Sequence, residues 1–239
     1  MQVRLHKIAT TTFEFQKAAM EVPWANDTLM ALPIPEHLLK QFCVEKTWRD
    51  ECGIDLSRVK GTNDPDCQGY TWLEFLHRGK RMRRNLEELF SNPGYYFTDE
   101  KKLPSMSYLK IGDHFYVHHD GSHRTCIARF LFHLSGSEEK FSGVEVTAMV
   151  VDFEAYELWK AFGGPEGLLI VHSMKTSRED GPGWMTERFE LSFSLFRKGT
   201  VLHGMSKEDL WRLYLQERKG WLGRIARVLS LEKRQHGRD

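Results

Sequence analysis

Asp120-Gly-Ser-His-Arg-Thr125 puts a carboxylate, a glycine, two hydroxyls, an imidazole and a guanidinium in one short run. The run falls where a strand-like pattern gives way to a helix-like one. That junction suits an anion, above all a phosphate. Gly121 lets the chain turn sharply and lets a ligand approach where a Cβ would stand in the way. The following helix offers free N–H groups and the positive end of its dipole. Ser122 and Thr125 add hydroxyl donors, and His123 and Arg124 add positive charge or a forked hydrogen bond. Asp120, at the strand end, suits a magnesium ion or a proton in need of an acceptor. His119 is the alternative base, and Lys110 on the preceding strand reaches a phosphate if its side chain points to the site. Each residue also has a plainer reading: Gly121 as a turn closure, Ser122 as an N-cap, Arg124 as the partner of a surface carboxylate.

The elements that must position these residues are readable around them. Ser107–Ile111 and His114–His119 read as strands joined at Gly112-Asp113. Ile127, Phe130, Leu131 and Leu134 recur at helical spacing, and Ser135-Gly136 stops that helix. Val144–Val151, Leu168–His172 and Arg188–Arg197 read as further strands. Phe153–Phe162 reads as a helix and Arg178–Gly183 as a charged loop. The first hundred residues read as helices and loops: a short helix at Pro35–Phe42, a turn-rich loop at Asp64–Gly69, and a helix from Thr71 to Phe90 broken near Gly79. Ser206-Lys-Glu-Asp209 is a capping box. Leu222, Ile225, Ala226 and Leu229 then line a last helix made basic by Arg224, Arg227, Lys233, Arg234 and Arg238. The expectation is an α+β fold with a small mixed sheet and flanking helices. Its parts are a helical and loop region over 1–100, a core over 101–203 and a helical extension over 204–239.

Composition bounds the partners. The net charge is only +1, so nucleic-acid binding must come from a local patch. Arg78, Arg81, Arg83 and Arg84, with Lys80 among them, form the strongest such cluster and point to DNA, against the plainer reading of a solvated helix face. The basic C-terminal helix is a docking surface for a protein partner on the same terms. No apolar run approaches the roughly 18 residues that span a membrane, and no secretory signal is read, so a cytoplasmic location is expected. Cys43, Cys52, Cys67 and Cys126 match no zinc framework and read as free thiols.

The stretch from Tyr108 to Phe130 resembles the ParB/sulfiredoxin superfamily, whose members share a strand, a turn of Asp-Gly-x-His-Arg or Gly-Cys-His-Arg type, and a helix with alanine near its start. Gly121, Ser122, His123, Arg124 and Ala128 stand at the matching positions. The resemblance covers only this short stretch of the chain. It implies a ParB/sulfiredoxin-like core, with the turn holding the phosphates of ATP or another nucleotide. Sulfiredoxins carry a reactive cysteine immediately before the His-Arg pair, where this chain has Ser122, so their sulfinic-acid chemistry is not expected; Cys126 reads as a core residue. The Gly-Glu-Arg-Arg motif and helix-turn-helix of chromosome-partition ParB proteins are also not evident. The Asp-Gly-x-His-Arg branch includes a free-serine kinase and plasmid proteins with ATPase and nuclease activities, among them plasmid fertility-inhibition proteins.

The expected activity is phosphoester hydrolysis on a nucleotide or DNA. Backbone amides at Gly121 to Arg124 hold the phosphates, and Arg124 and His123 stabilise charge in the transition state. Asp120 is the base or magnesium ligand. Two other classes stand beside this one. His118-x-Asp120, with His172 or His203 as a distant third ligand, has the ligand types of a non-haem iron triad. A non-catalytic inhibitor or docking protein of a conjugation or secretion system is the other.

Overall fold

A computed structural model describes residues 8–197 and 199–216. The expected last helix, from Leu222 through Arg238, lies outside the described residues. The fold is α+β, with a mixed sheet of eight strands that does not close on itself and helices flanking it. The described chain forms two compact units. The first runs to Val151 and takes in Lys175–Arg188; the second comprises Asp152–Met174 and the described residues from Phe189 onward.

In the first unit the strands are β1 (Cys43–Asp55), β2 (Val59–Thr62), β3 (Ser107–Ile111), β4 (His114–Val117) and β5 (Lys140–Val151). Their order is β2-β4-β3-β5-β1. β3 and β4 form the expected hairpin, while β3 runs parallel to β5 and β2 parallel to β4. β1, in a region read from sequence as helix and loop, is an inner strand paired to β5. Its first half, Val44–Trp48, is uniformly half-buried and burial alternates only from Arg49 on, and its register with β5 slips three times, so its period-2 signal is short and broken. The stretch read as a charged loop, Arg178–Gly183, is mostly strand. β6 (Leu169–Gly181) runs to a turn at Pro182-Gly183, and β7 (Trp184–Arg197) returns. The charges there are cross-strand pairs: Lys175 to Glu187 at 2.6 Å and Arg188 to Glu179 at 2.7 Å.

The helices of this unit are α1 (Thr12–Ala19), α2 (Glu36–Gln41), α3 (Trp72–Arg78), α4 (Met82–Ser91), α5 (Gly94–Phe97) and α6 (Ser122–Ser135). α3 starts on a full capping box between Thr71 and Glu74. Every residue of α6 from Arg124 to Phe132 is buried, which marks a helix enclosed on all sides rather than a surface helix. Phe15, Ala19, Trp72, Phe75, Leu76, Leu86 and Leu89 share the core with its Cys126, Ile127, Phe130 and Leu131. Arg129 is enclosed there too. Its guanidinium carbon lies 4.2 Å from the ring centroids of both Trp24 and Trp72. Its Nε has no hydrogen-bond partner among the described residues, and burial brings its pKa down to about 10.

The second unit holds α7 (Phe153–Ala161), capped by Asp152, with β8 (Thr200–Met205) paired to the later half of β7. β8 was not read from the sequence. The capping box forms as expected, Ser206 Oγ accepting from Asp209 N–H and Asp209 accepting from Ser206 N–H, and opens a helix described over 207–216. Among the described residues no helix is long and apolar enough to cross a membrane. All four cysteines are free thiols.

Candidate functional site

The chain leaves β4 and is tied back at once to Ser107. His118 N–H donates to Ser107 O, His119 N–H to Ser107 Oγ, and Ser107 N–H to Asp120 O. Gly121 then takes φ 113° and becomes the N-cap of α6. A Cβ at this position would be strained by the backbone angle and would stand 2.9 Å from Met106 Cε. Asp120 holds the turn from both sides: Oδ1 accepts the Gly121 N–H at 2.6 Å and Oδ2 an Arg124 N–H at 3.0 Å. No side chain caps α6. The N–H groups of Ser122, His123 and Arg124 therefore have no intrahelical acceptor and carry the positive end of a 14-residue helix.

This helix start opens into a cleft of about 460 Å³. His119 to His123 form its floor. Arg78, Gly79, Lys80 and Arg81, the link from α3 to α4, form one lip, and Asp64, Asp66, Cys67, Tyr70 and Phe75 line the rest. Lip and floor are joined by His123. Its Nε2 accepts the Arg81 N–H at 3.3 Å, and its ring packs on Phe75 with centroids 4.8 Å apart. Burial, assisted by the Arg81 charge, holds the imidazole below its ordinary pKa. With Nε2 accepting, the geometry assigns the proton to Nδ1. His123 thus brackets lip and floor, with Nε2 accepting from Arg81 rather than turned to a ligand as a donor.

Arg124 faces away from the cleft. It is buried, and its two terminal nitrogens donate to Tyr95 OH, Pro104 O, Ser105 O and Asp120 Oδ2. The plainer sequence reading, a pair with a surface carboxylate, holds for it. Thr125 is buried with its hydroxyl 2.6 Å from that of Tyr108. Lys110 lies with its ammonium 5.9 Å from the Phe115 ring centroid and does not line the cleft. Of the residues singled out in sequence, the structure brings His119, Asp120, Gly121, Ser122 and His123 together and leaves Lys110, Arg124 and Thr125 out.

The basic cluster divides in two. Arg83 and Arg84 pair along α4 with Glu87 and Glu88 at 3.1 and 2.9 Å, a solvated helix face. Arg78, Lys80 and Arg81 are exposed at the lip, and among the described residues none lies within ion-pair distance of a carboxylate. Sequence reading noted these cations but not that they face the Asp-Gly turn. The clue available was Gly79, which breaks the helix and bends the cluster over.

Asp64 and Asp66 were not singled out. Asp64 accepts from Asp66 N–H and from the Cys67 thiol at 3.2 Å, and burial together with Asp64 pushes that thiol up to about 12. Asp66 is exposed and accepts no hydrogen bond among the described residues, so it is the freest carboxylate in the cleft for a magnesium ion accompanying a ligand. Asp120 keeps one lone pair on each oxygen. Among the described residues no three of His, Cys, Asp and Glu gather as metal ligands do. His118 lies instead 3.2 Å from Glu36, with its ring tilted against that of His119 at a centroid distance of 3.6 Å, while His172 and His203 belong to the second unit.

Compared with protein-family models, with curated proteins and with solved structures, the chain has no match in any of the three.

Proposed function

We propose that the cleft binds the phosphates of a nucleotide, and that the chain is a ParB/sulfiredoxin-like protein acting on phosphoesters. One observation carries this reading: the uncapped start of α6, turned by Gly121, faces three lip cations across one cleft, and among the described residues none of the three is within ion-pair distance of a carboxylate. Phosphate oxygens would accept from the amides of Ser122 and His123 and from the Ser122 hydroxyl, with Arg78, Lys80 and Arg81 closing over them. Charge-assisted hydrogen bonds contribute roughly 1.5–3 kcal/mol each. Tyr70, part-exposed in the cleft, offers an aromatic face to a base. For hydrolysis, His119 is the better-placed base, since Asp120 is occupied in holding the turn, and the α6 amides stabilise the developing charge.

The test is calorimetric titration with ATP, ADP and CTP, with and without magnesium. Lys80→Ala and Arg81→Ala are each expected to weaken binding by about tenfold or more, the equivalent of roughly 1.4 kcal/mol, without loss of fold. Release of inorganic phosphate that stops in His119→Ala would make the site catalytic; binding without turnover would make it a switch. If no nucleotide binds, Gly121 is a structural turn and the reading fails.

A further inference from the structure

The second unit brings together two histidines that the sequence left apart. His172 on β6, Ser194 on β7 and His203 on β8 lie on three neighbouring strands. Ser194 Oγ is 2.9 Å from His172 Nε2 and 3.1 Å from His203 Nδ1. The serine is 3 % exposed, whereas both histidines are exposed. The convergence is built by a β-bulge. Between Phe193 and Leu195 the register with β8 slips, Phe193 opposing Met205 and Leu195 opposing Leu202. Gly204, at φ 65°, takes the extra residue, and bulges of this kind re-aim a neighbouring side chain. Here the side chain is His203.

A hydroxyl has one proton, so Ser194 donates to one ring nitrogen and accepts from the other. It thereby holds both rings close before any ion binds; for both nitrogens to take a metal, the ring that donates to Ser194 moves its proton to its other nitrogen and both hydrogen bonds to Ser194 give way. The two nitrogens are at most about 6 Å apart, and a shared metal with bonds of roughly 2.0–2.1 Å requires the two exposed rings to turn until they close to roughly 3.3 Å. An exposed imidazole pair with one oxygen beside it and water for the open positions suits a borderline transition-metal dication, not a hard cation such as magnesium. We propose that His172 and His203 together hold such an ion, of the zinc and copper class, on the face of the β6–β7–β8 sheet, with Ser194 setting the two rings.

The experiment uses the untagged full chain, stripped with chelator and titrated with Zn²⁺ by calorimetry, with Cu²⁺ electron paramagnetic resonance to count nitrogen ligands. One equivalent of Zn²⁺ should bind. His172→Gln and His203→Gln should each weaken it by about tenfold or more, and the copper spectrum should pass from two nitrogens to one. Both positions are exposed, and circular dichroism checks that the variants fold. Ser194→Ala keeps both ligands and should retain measurable binding. The adjacent His118–His119 pair in the first unit is the rival site. Binding that survives both Gln variants but is lost in His119→Ala overturns the proposal, as does the absence of Zn²⁺ binding in the wild type.

Discussion

His123 and Arg124 are consecutive at the start of α6 and serve different sides of it. Arg124 ties the turn to Tyr95 and to the carbonyls of Pro104 and Ser105; His123 ties it to the lip. Arg124→Ala would leave those acceptors without a donor, at a cost of roughly 2–4 kcal/mol in denaturant unfolding. Arg124→Lys would recover less than half of this, because an ammonium cannot reproduce the fork. A large loss of nucleotide binding with unchanged stability would show that Arg124 reaches the ligand after all. His123 and His118 are both held below the ordinary 6.5, in each case chiefly by burial. The unfolded chain then takes up more protons than the folded one as pH falls through that range. Each group therefore contributes stability that is complete above 6.5 and is lost as pH falls through its lowered folded value. Tm should decline from pH 7 to 5.5, and His123→Gln should decline less steeply. The residue types of the site were legible in sequence. Which way each side chain points was not, because Arg124 and Thr125 differ from Ser122 only by their place around a helix buried on every side.

The element that decides the site is the turn between β4 and α6. Gly121→Ala would force a Cβ onto a left-handed backbone and against Met106. A cost of about 1–3 kcal/mol is expected, together with weaker nucleotide binding through displacement of the α6 amides. A variant as stable as wild type would mean that the turn can be made another way. The β3–β4 hairpin, α6, β5 and α7 were each readable from spacing and turn residues, since their signals are local. β1 was not: its first half is uniformly half-buried, bulges break it, and Glu45, Lys46, Arg49 and Asp50 give it the look of a loop. β6 ran past its expected end for a related reason. Its charges are matched across the hairpin by Glu187 and Arg188, and no local pattern records a partner strand.

At the scale of the molecule, a net charge of +1 leaves the lip of the cleft as a local field rather than part of a general one. Nucleotide binding should therefore weaken with salt while the unfolding midpoint changes little. Arg129, enclosed by Trp24 and Trp72, has an optical consequence. The emission energy of an indole responds to a charge above its ring, and here one guanidinium lies over two indoles. Trp72 opens the same short helix whose last residue, Arg78, lines the cleft. A ligand that draws Arg78 inward pulls on Trp72 and alters that stack. On the proposed function, this stack is an unlabelled fluorescence gauge of the cleft: ATP should shift tryptophan emission in the wild type, and the shift should vanish in Trp72→Phe while calorimetric binding persists.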